Sequence, residues 1–343
     1  MSAHSDPSFH REARGSSLPW PRRTGLPLTL APLTFVVALV GCAGQPTASQ
    51  LRPTPTAAPV TTTAAEPVYP LTITDDEGTA VVIERSPERI VSLTPGTTEI
   101  LFAIGAGDRV LATTDADDYP PEAVPLPDVA SFGSVDVEAI VALEPDLVLA
   151  GGNQYTPSEA IGRLRDVGVP VLVIYASSVD AVLTDVELIG RAAGRAAEAQ
   201  ALSDQMRSEI DALSAAVGDL PRPRVFYEID ASVGVFGPAD DSYLAEMIRL
   251  AGGDPITTGS ALSFEIELER LVAADPEVIV LGDAAFGVTT EQVAARPAWD
   301  QMTAVREGAI RAVDDKLVTR PGPRLALGLR SLILAIHPDA RLP

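Results

Sequence analysis

Two stretches of this chain repeat one pattern: VDVEAIVALEPDLVLAGG from Val135 to Gly152, and IELERLVAADPEVIVLGD from Ile266 to Asp283. In the first, Val137, Ile140, Val141 and Leu143 fall at helical spacing, and Asp136 with Glu138 places carboxylates in a first turn, where the helix dipole favours them. Pro145 cannot continue a helix. DLVLAGG after it reads as a strand buried on both faces of a parallel sheet. The second stretch keeps Glu269, Val272, Ala273, Pro276 and Gly282 identical to Glu138, Val141, Ala142, Pro145 and Gly151. The repeat predicts two equivalent helix–proline–strand units, each with a glutamate at the same place.

A weaker echo lies upstream. RIVSL (Arg89 to Leu93) before TEILFAIGAGD matches RVFYEI (Arg224 to Ile229) before AEMIRLAGGD, each a strand, a loop and a helix ending in glycine. Between the copies, Leu202, Met206, Ile210, Leu213 and Val217 recur every three or four residues after Gly194, which predicts about 35 Å of helix from Arg195 to Val217. An ordinary packed helix of one domain gives the same spacing. The expected fold is α/β, two Rossmann-like lobes bridged by one long α-helix, with lobes at 69–194 and 221–343 and the bridge at 195–220.

The first 41 residues read as a secretory signal: Arg22 and Arg23 precede an apolar stretch too short and too proline-interrupted for a comfortable membrane span. Its end, Leu39-Val40-Gly41-Cys42, resembles the bacterial lipobox, which makes Cys42, the sole cysteine, the expected lipidation site. Residues 42–68 are rich in Thr, Pro and Ala and predict an extended, disordered tether. The expected location is extracytoplasmic, lipid-anchored to a membrane.

Without the signal the chain carries 21 basic against 45 acidic residues, a net charge near −24, and nucleic acid is a poor partner for that surface. Facing α/β lobes leave a crevice lined by loops at the carboxyl ends of their strands. Here those loops are 94–98, 114–121, 151–157, 230–241 and 283–288. They hold no nucleophile elbow and no phosphate-cradling glycine loop, and the chain has three histidines, of which His337 after the last helix reads as a solvated helix end. A metal site built on several histidines is excluded, so a metal in the ligand arrives already chelated.

ERIVSLTPGTTEILFAIGAGDRVLATT, DYPPEA, VEAIVALEPDLVLAGG and RPGPRLALGLRSL followed by HP, in that order, resemble the periplasmic binding proteins for vitamin B12 and ferric siderophores, the substrate-binding lipoproteins of ABC importers. The resemblance covers about Leu71 to Pro338. It implies a monomer without cofactor that delivers cobalamin or a related corrinoid, or alternatively a ferric siderophore or haem, to a permease dimer with its ATPase. It implies permease docking by Glu138 and Glu269. It also implies a ligand site in which Phe132, Phe236 and Arg320 match family positions, with Tyr119, Tyr155 and Phe264 as further surfaces. Ala116 and Gly151 stand where B12-binding members place aromatics. One of Arg320 and Arg324 is expected to face an anionic group and the other to brace the last helix. A chelatase or amidohydrolase on a related scaffold needs an acid/base or metal cluster that the shortage of His and Cys argues against. A lipidated sensor would be distinguished by the genes beside it.

Overall fold

A computed structural model describes residues 67–152 and 155–343. Its strands are β1 (Leu71–Thr74), β2 (Ala80–Ile83), β3 (Ile90–Ser92), β4 (Val110–Thr114), β5 (Asp128–Ser131), β6 (Ser134–Val135), β7 (Leu147–Gly151), β8 (Val171–Ile174), β9 (Arg224–Glu228), β10 (Asp254–Pro255), β11 (Val278–Leu281) and β12 (Ile310–Ala312). Its helices are α1 (Pro95–Ala103), α2 (Val137–Ala142), α3 (Ser158–Asp166), α4 (Val179–Ala192), α5 (Ala196–Val217), α6 (Tyr243–Leu250), α7 (Leu268–Ala274), α8 (Thr290–Ala294), α9 (Thr303–Arg306), α10 (Asp315–Val318) and α11 (Leu325–Ile336).

The repeat in the sequence is a repeat in topology. One sheet runs β6-β5-β4-β3-β7-β8 and the other β10-β9-β11-β12. Within them β4-β3-β7-β8 and β10-β9-β11-β12 are all parallel and follow the same chain order. The matching helices α2 and α7 feed the matching strands β7 and β11. At each junction a left-handed residue, Glu144 or Asp275 (φ 47° in both), precedes the proline. A carboxylate just past that proline then accepts from the backbone N–H that begins the neighbouring strand: Asp146 Oδ1 from Arg89 at 2.9 Å, Glu277 Oε2 from Arg224 at 2.9 Å.

Each sheet is covered on both faces. One face of the first packs on α2 and α3 through Val91, Ile140, Val148, Leu164 and Val173. One face of the second packs around Phe226, Leu271, Ile279 and Trp299. The remaining faces share a single apolar core that also takes in Val186, Met206, Leu213, Leu329 and Ile333. The 22-residue α5, about 33 Å long, buries Ala199, Met206, Ile210, Leu213 and Val217 into that core. The long helix is thus packed between α4 and α11 along its length, and the lobes are joined by a continuous apolar interior as well as by the helix. Glu246 of α6 reaches across to accept from the Val179 N–H at 2.8 Å, at the start of α4. His337, expected in solvent, is half-buried, with Nε2 3.2 Å from the Gly252 carbonyl. Cys42 and the segment 1–66 lie outside the described residues.

Candidate functional site

In open α/β sheets the ligand side is the carboxyl end of the strands, and the strand-end loops of both lobes are the place to look for a site. In the first lobe, Ser92 at the end of β3 and the first turn of α1 form a buried hydroxyl cluster: Ser92 Oγ is 2.7 Å from Thr97 Oγ1 and accepts from Thr98 Oγ1 at 2.8 Å. These bonds satisfy polar groups that the sheet would otherwise bury unpaired. Gly151 closes β7 because a Cβ there would lie 2.5 Å from Thr94 Cγ2 and 2.9 Å from Tyr155 Cβ. Its counterpart Gly282 lets the Tyr227 ring approach to 2.5 Å of the same virtual atom. The glycines shared by the two repeats make room for neighbouring side chains, and an aromatic ring has no space at 151.

Sequence-expected ligand residues fall into groups. Phe132, on the turn between β5 and β6, meets Tyr155 after β7 edge to face, with centroids 6.4 Å apart. Phe132 is 87% exposed and Tyr155 56%, so part of the Tyr155 side chain is covered. The half-buried Phe236 and the exposed Phe264 sit on strand-end loops of the second lobe that are tied together by Gly237 N–H donating to the Phe264 carbonyl at 2.8 Å. Tyr119 stands apart, its ring covered by the Arg324 guanidinium 4.2 Å from the centroid. Tyr175 after β8 and Phe286 after β11, the latter 85% exposed, were passed over in the sequence. The signal available was a lone large ring in a loop of small residues at a strand's carboxyl end. The Tyr155 phenol is pushed up by burial first and then by Tyr175 and Asp315.

Charges are closed across the seam between lobes. Arg324 forks onto Glu99, Nη2 to Oε1 at 2.6 Å and Nε to Oε2 at 2.8 Å. Arg320 donates to Asp118 Oδ1 at 2.6 Å and to the Ala116 carbonyl at 3.0 Å, and lies 3.7 Å from Glu99. Both arginines therefore bind first-lobe acids. Deeper in the second lobe, fully buried Glu228 is forked by Arg296 at 2.5 and 2.9 Å. Asp283 beside it is pushed up to about 7 by burial and then by Glu228. Among the described residues no cluster of His, Cys, Asp and Glu is arranged to hold a metal ion.

Glu138 and Glu269 each occupy the second position of their helix and are exposed, the Glu138 side chain at 92%. Because α2 and α7 run back to feed the start of their strands, their first turns lie toward the carboxyl ends of the sheets, the side on which the cleft opens. Beside Glu138 a groove of about 540 Å³ is lined by Val137, Val141, Ala142, Arg163, Asp166 and Val167.

The periplasmic binding protein family model matches residues 90–317. The chain belongs to that family. An ABC transporter substrate-binding lipoprotein of Bacillus subtilis is 33% identical over 277 residues, covering 79% of this chain and 87% of the relative. A cobalamin-binding protein of Halobacterium salinarum is 31% identical over 281 residues, covering 78% of this chain and 74% of its own length. Among solved structures, the periplasmic haem-binding protein RhuT of Roseiflexus sp. RS-1 superposes with a TM-score of 0.65 at 28% identity, covering 74% of this chain and 99% of that one. As a periplasmic binding protein, the chain is an extracytoplasmic substrate carrier of an ABC transporter rather than an enzyme, working with a permease and its ATPase.

Proposed function

We propose that this chain is a receptor tethered by a lipid at Cys42 that captures a corrinoid, cobalamin or a relative of it, between lobes 69–194 and 221–343 and presents it to its permease as a monomer. The observation that carries the ligand class is the distribution of exposed rings, Phe132 with Tyr155 and Tyr175 on one lobe and Phe264 with Phe286 on the other. Two aromatic walls suit a broad, flat guest that offers a large apolar face. Phe236 extends the second of these surfaces, while Tyr119, under Arg324, and Arg320, held by Asp118, enter the site where the ligand displaces those pairings. The identity with the Halobacterium cobalamin-binding protein supports the corrinoid within that class.

Haem is the second reading, favoured by the likeness to RhuT. Calorimetric titration with cyanocobalamin, haemin and a ferric hydroxamate siderophore separates the two. One-to-one binding of cyanocobalamin at micromolar or tighter affinity is expected. Heat with haemin alone would replace the corrinoid by haem, and steady turnover of any chelate would overturn the carrier reading.

Glu138 and Glu269 act as matched docking points. A pseudo-symmetric pair of lobes meets a two-fold permease dimer best when each lobe offers the same group at the same place. Their shared position at the first turn of α2 and α7, on the side where the cleft opens, supports a docked state in which the ligand faces the permease.

A further inference from the structure

The five strand-end segments read in the sequence as lining the ligand site, 94–98, 114–121, 151–157, 230–241 and 283–288, together contain seven aspartates and no lysine or arginine. Against the first two lies the segment from Lys316 to Arg324, whose three basic residues are each held by an acid of the opposite lobe. Lys316 Nζ is paired with Asp118 Oδ2, and Arg320 Nη1 lies 2.6 Å from Asp118 Oδ1. Arg324 is closed on Glu99. Asp118 therefore pairs with both of the cations that precede the Pro-Gly-Pro turn, and is the nearer of the two acids on Arg320, with Glu99 3.7 Å away.

The energetics of the two pairs differ. The Lys316 and Asp118 side chains are 47% and 44% exposed, so their pairing is screened by water. The Arg320 side chain is 15% exposed, donates to the Ala116 carbonyl and lies 3.7 Å from the buried Glu99 carboxylate, so pulling its guanidinium away costs more than parting the Lys316 pair. Burial alone would raise the Asp118 pKa, but hydrogen bonds from Lys316 and Arg320, with their charges, bring it below the ordinary value. Asp118 therefore stays ionised at neutral pH. A guest bearing carboxylates must either displace Asp118 from Arg320 or approach with its charge unmatched among aspartates. A neutral or cationic guest meets neither cost.

We infer that Asp118 is a specificity-determining residue: by holding Lys316 and Arg320 it turns the cleft against carboxylate-bearing chelates and leaves it open to neutral or cationic ones. The inference rests on reading the cleft as a site for a metal chelate, and it selects the charge class of that chelate.

The test uses pairs of guests with one shape and two charges. Cyanocobalamin is compared with its monocarboxylic acid, in which one side-chain amide is hydrolysed, and haemin dimethyl ester with haemin. In the unaltered chain the uncharged member of whichever pair binds should be the tighter. Asp118→Asn, which frees Lys316 and leaves Arg320 only the more distant Glu99, should tighten the acid member by about tenfold or more and leave the uncharged member within about threefold. Asp118→Glu should keep the original preference. Equal changes for both members, or no preference in the unaltered chain, would overturn the inference while leaving the chelate reading intact. Where Asp118→Asn lowers the thermal midpoint enough to obscure binding, Lys316→Gln decides: removing one cation should weaken the acid member about threefold and spare the uncharged one, and equal effects on both count against the role. Failure of the unaltered chain to bind any of the four guests overturns the chelate reading and this inference with it.

Discussion

Arg89 and Arg224 occupy the same place in the two lobes: each donates from Nε to the last carbonyls of a helix that carries an exposed glutamate. Arg89 reaches Leu143 and Glu144 at 3.2 and 3.1 Å, and Arg224 reaches Ala274 and Asp275 at 3.1 and 2.9 Å. A guanidinium there satisfies carbonyls that helix geometry leaves without partners and opposes the negative end of the dipole. Arg89→Met or Arg224→Met should each cost about 1–3 kcal/mol of stability in denaturant titrations. Lysine should restore only part, since a point charge cannot fork onto two carbonyls. Full recovery with lysine would show that charge alone matters.

This pair also shows how far the sequence could be read. The repeated helix, proline and strand were legible because they rest on periodicity, a ring that cannot donate and an apolar run, all local properties. Arg89 and Arg224 were visible as aligned letters, but their partners lie about fifty positions away, and no spacing rule joins them. The aromatic loops were legible as a class, while Phe286 was missed because nothing in DAAFG distinguishes an exposed ring from a packed one. The two-acid, two-arginine seam was illegible in principle: Glu99 reads as a helix residue, and its partners Arg320 and Arg324 lie more than two hundred positions along the chain. The shared core was missed for the same reason, since periodicity marks the buried face of α5 without saying what buries it.

The Glu99 to Arg324 fork is a buried pair whose removal should be felt. Glu99 has a side chain 1% exposed and Arg324 one of 18%. Arg324→Ala leaves a buried carboxylate with only the more distant Arg320, and should destabilise the chain by about 3–5 kcal/mol. It also uncovers the Tyr119 ring. The measurement is the urea midpoint of the variant beside that of Arg324→Ala/Glu99→Gln. Partial recovery in the double variant is expected, because the stranded charge is gone; an additive loss would mean that the two side chains act independently.

Two buried acids make stability depend on pH in a direction opposite to the usual carboxylate. Asp185 in α4 is raised to about 8 by burial and then by the charge and hydrogen bond of Asp76, whose own carboxylate accepts from the Tyr175 N–H at 2.6 Å. Asp283 is raised to about 7. A folded pKa above the unfolded value near 3.8 means that the folded chain holds protons the unfolded chain releases. The stabilising contribution is complete below about pH 4 and is lost as pH rises through 7 and 8. Asp185→Asn keeps a donor for Asp76 without the charge, so its thermal midpoint should match the unaltered chain at pH 4 and exceed it at pH 9, by the equivalent of about 2 kcal/mol. A gap independent of pH would place Asp185 outside this linkage.

The docking proposed for Glu138 and Glu269 can be separated from capture because both side chains are exposed and neither contributes a hydrogen bond to the network described above. As first-turn acids on helices of 6 and 7 residues, each contributes less than about 1 kcal/mol to stability. Glu138→Arg with Glu269→Arg should therefore leave the ligand Kd within about twofold and the thermal midpoint nearly unchanged. Uptake in cells and stimulation of the reconstituted ATPase should fall by at least about tenfold, since two attractive contacts become repulsive against a cationic counterpart. Single exchanges should each give an intermediate loss, and of similar size, because a two-fold permease meets the two lobes alike. Undiminished uptake in the double variant would assign both glutamates to helix stabilisation alone, and a loss confined to one of them would break the equivalence that the repeat implies.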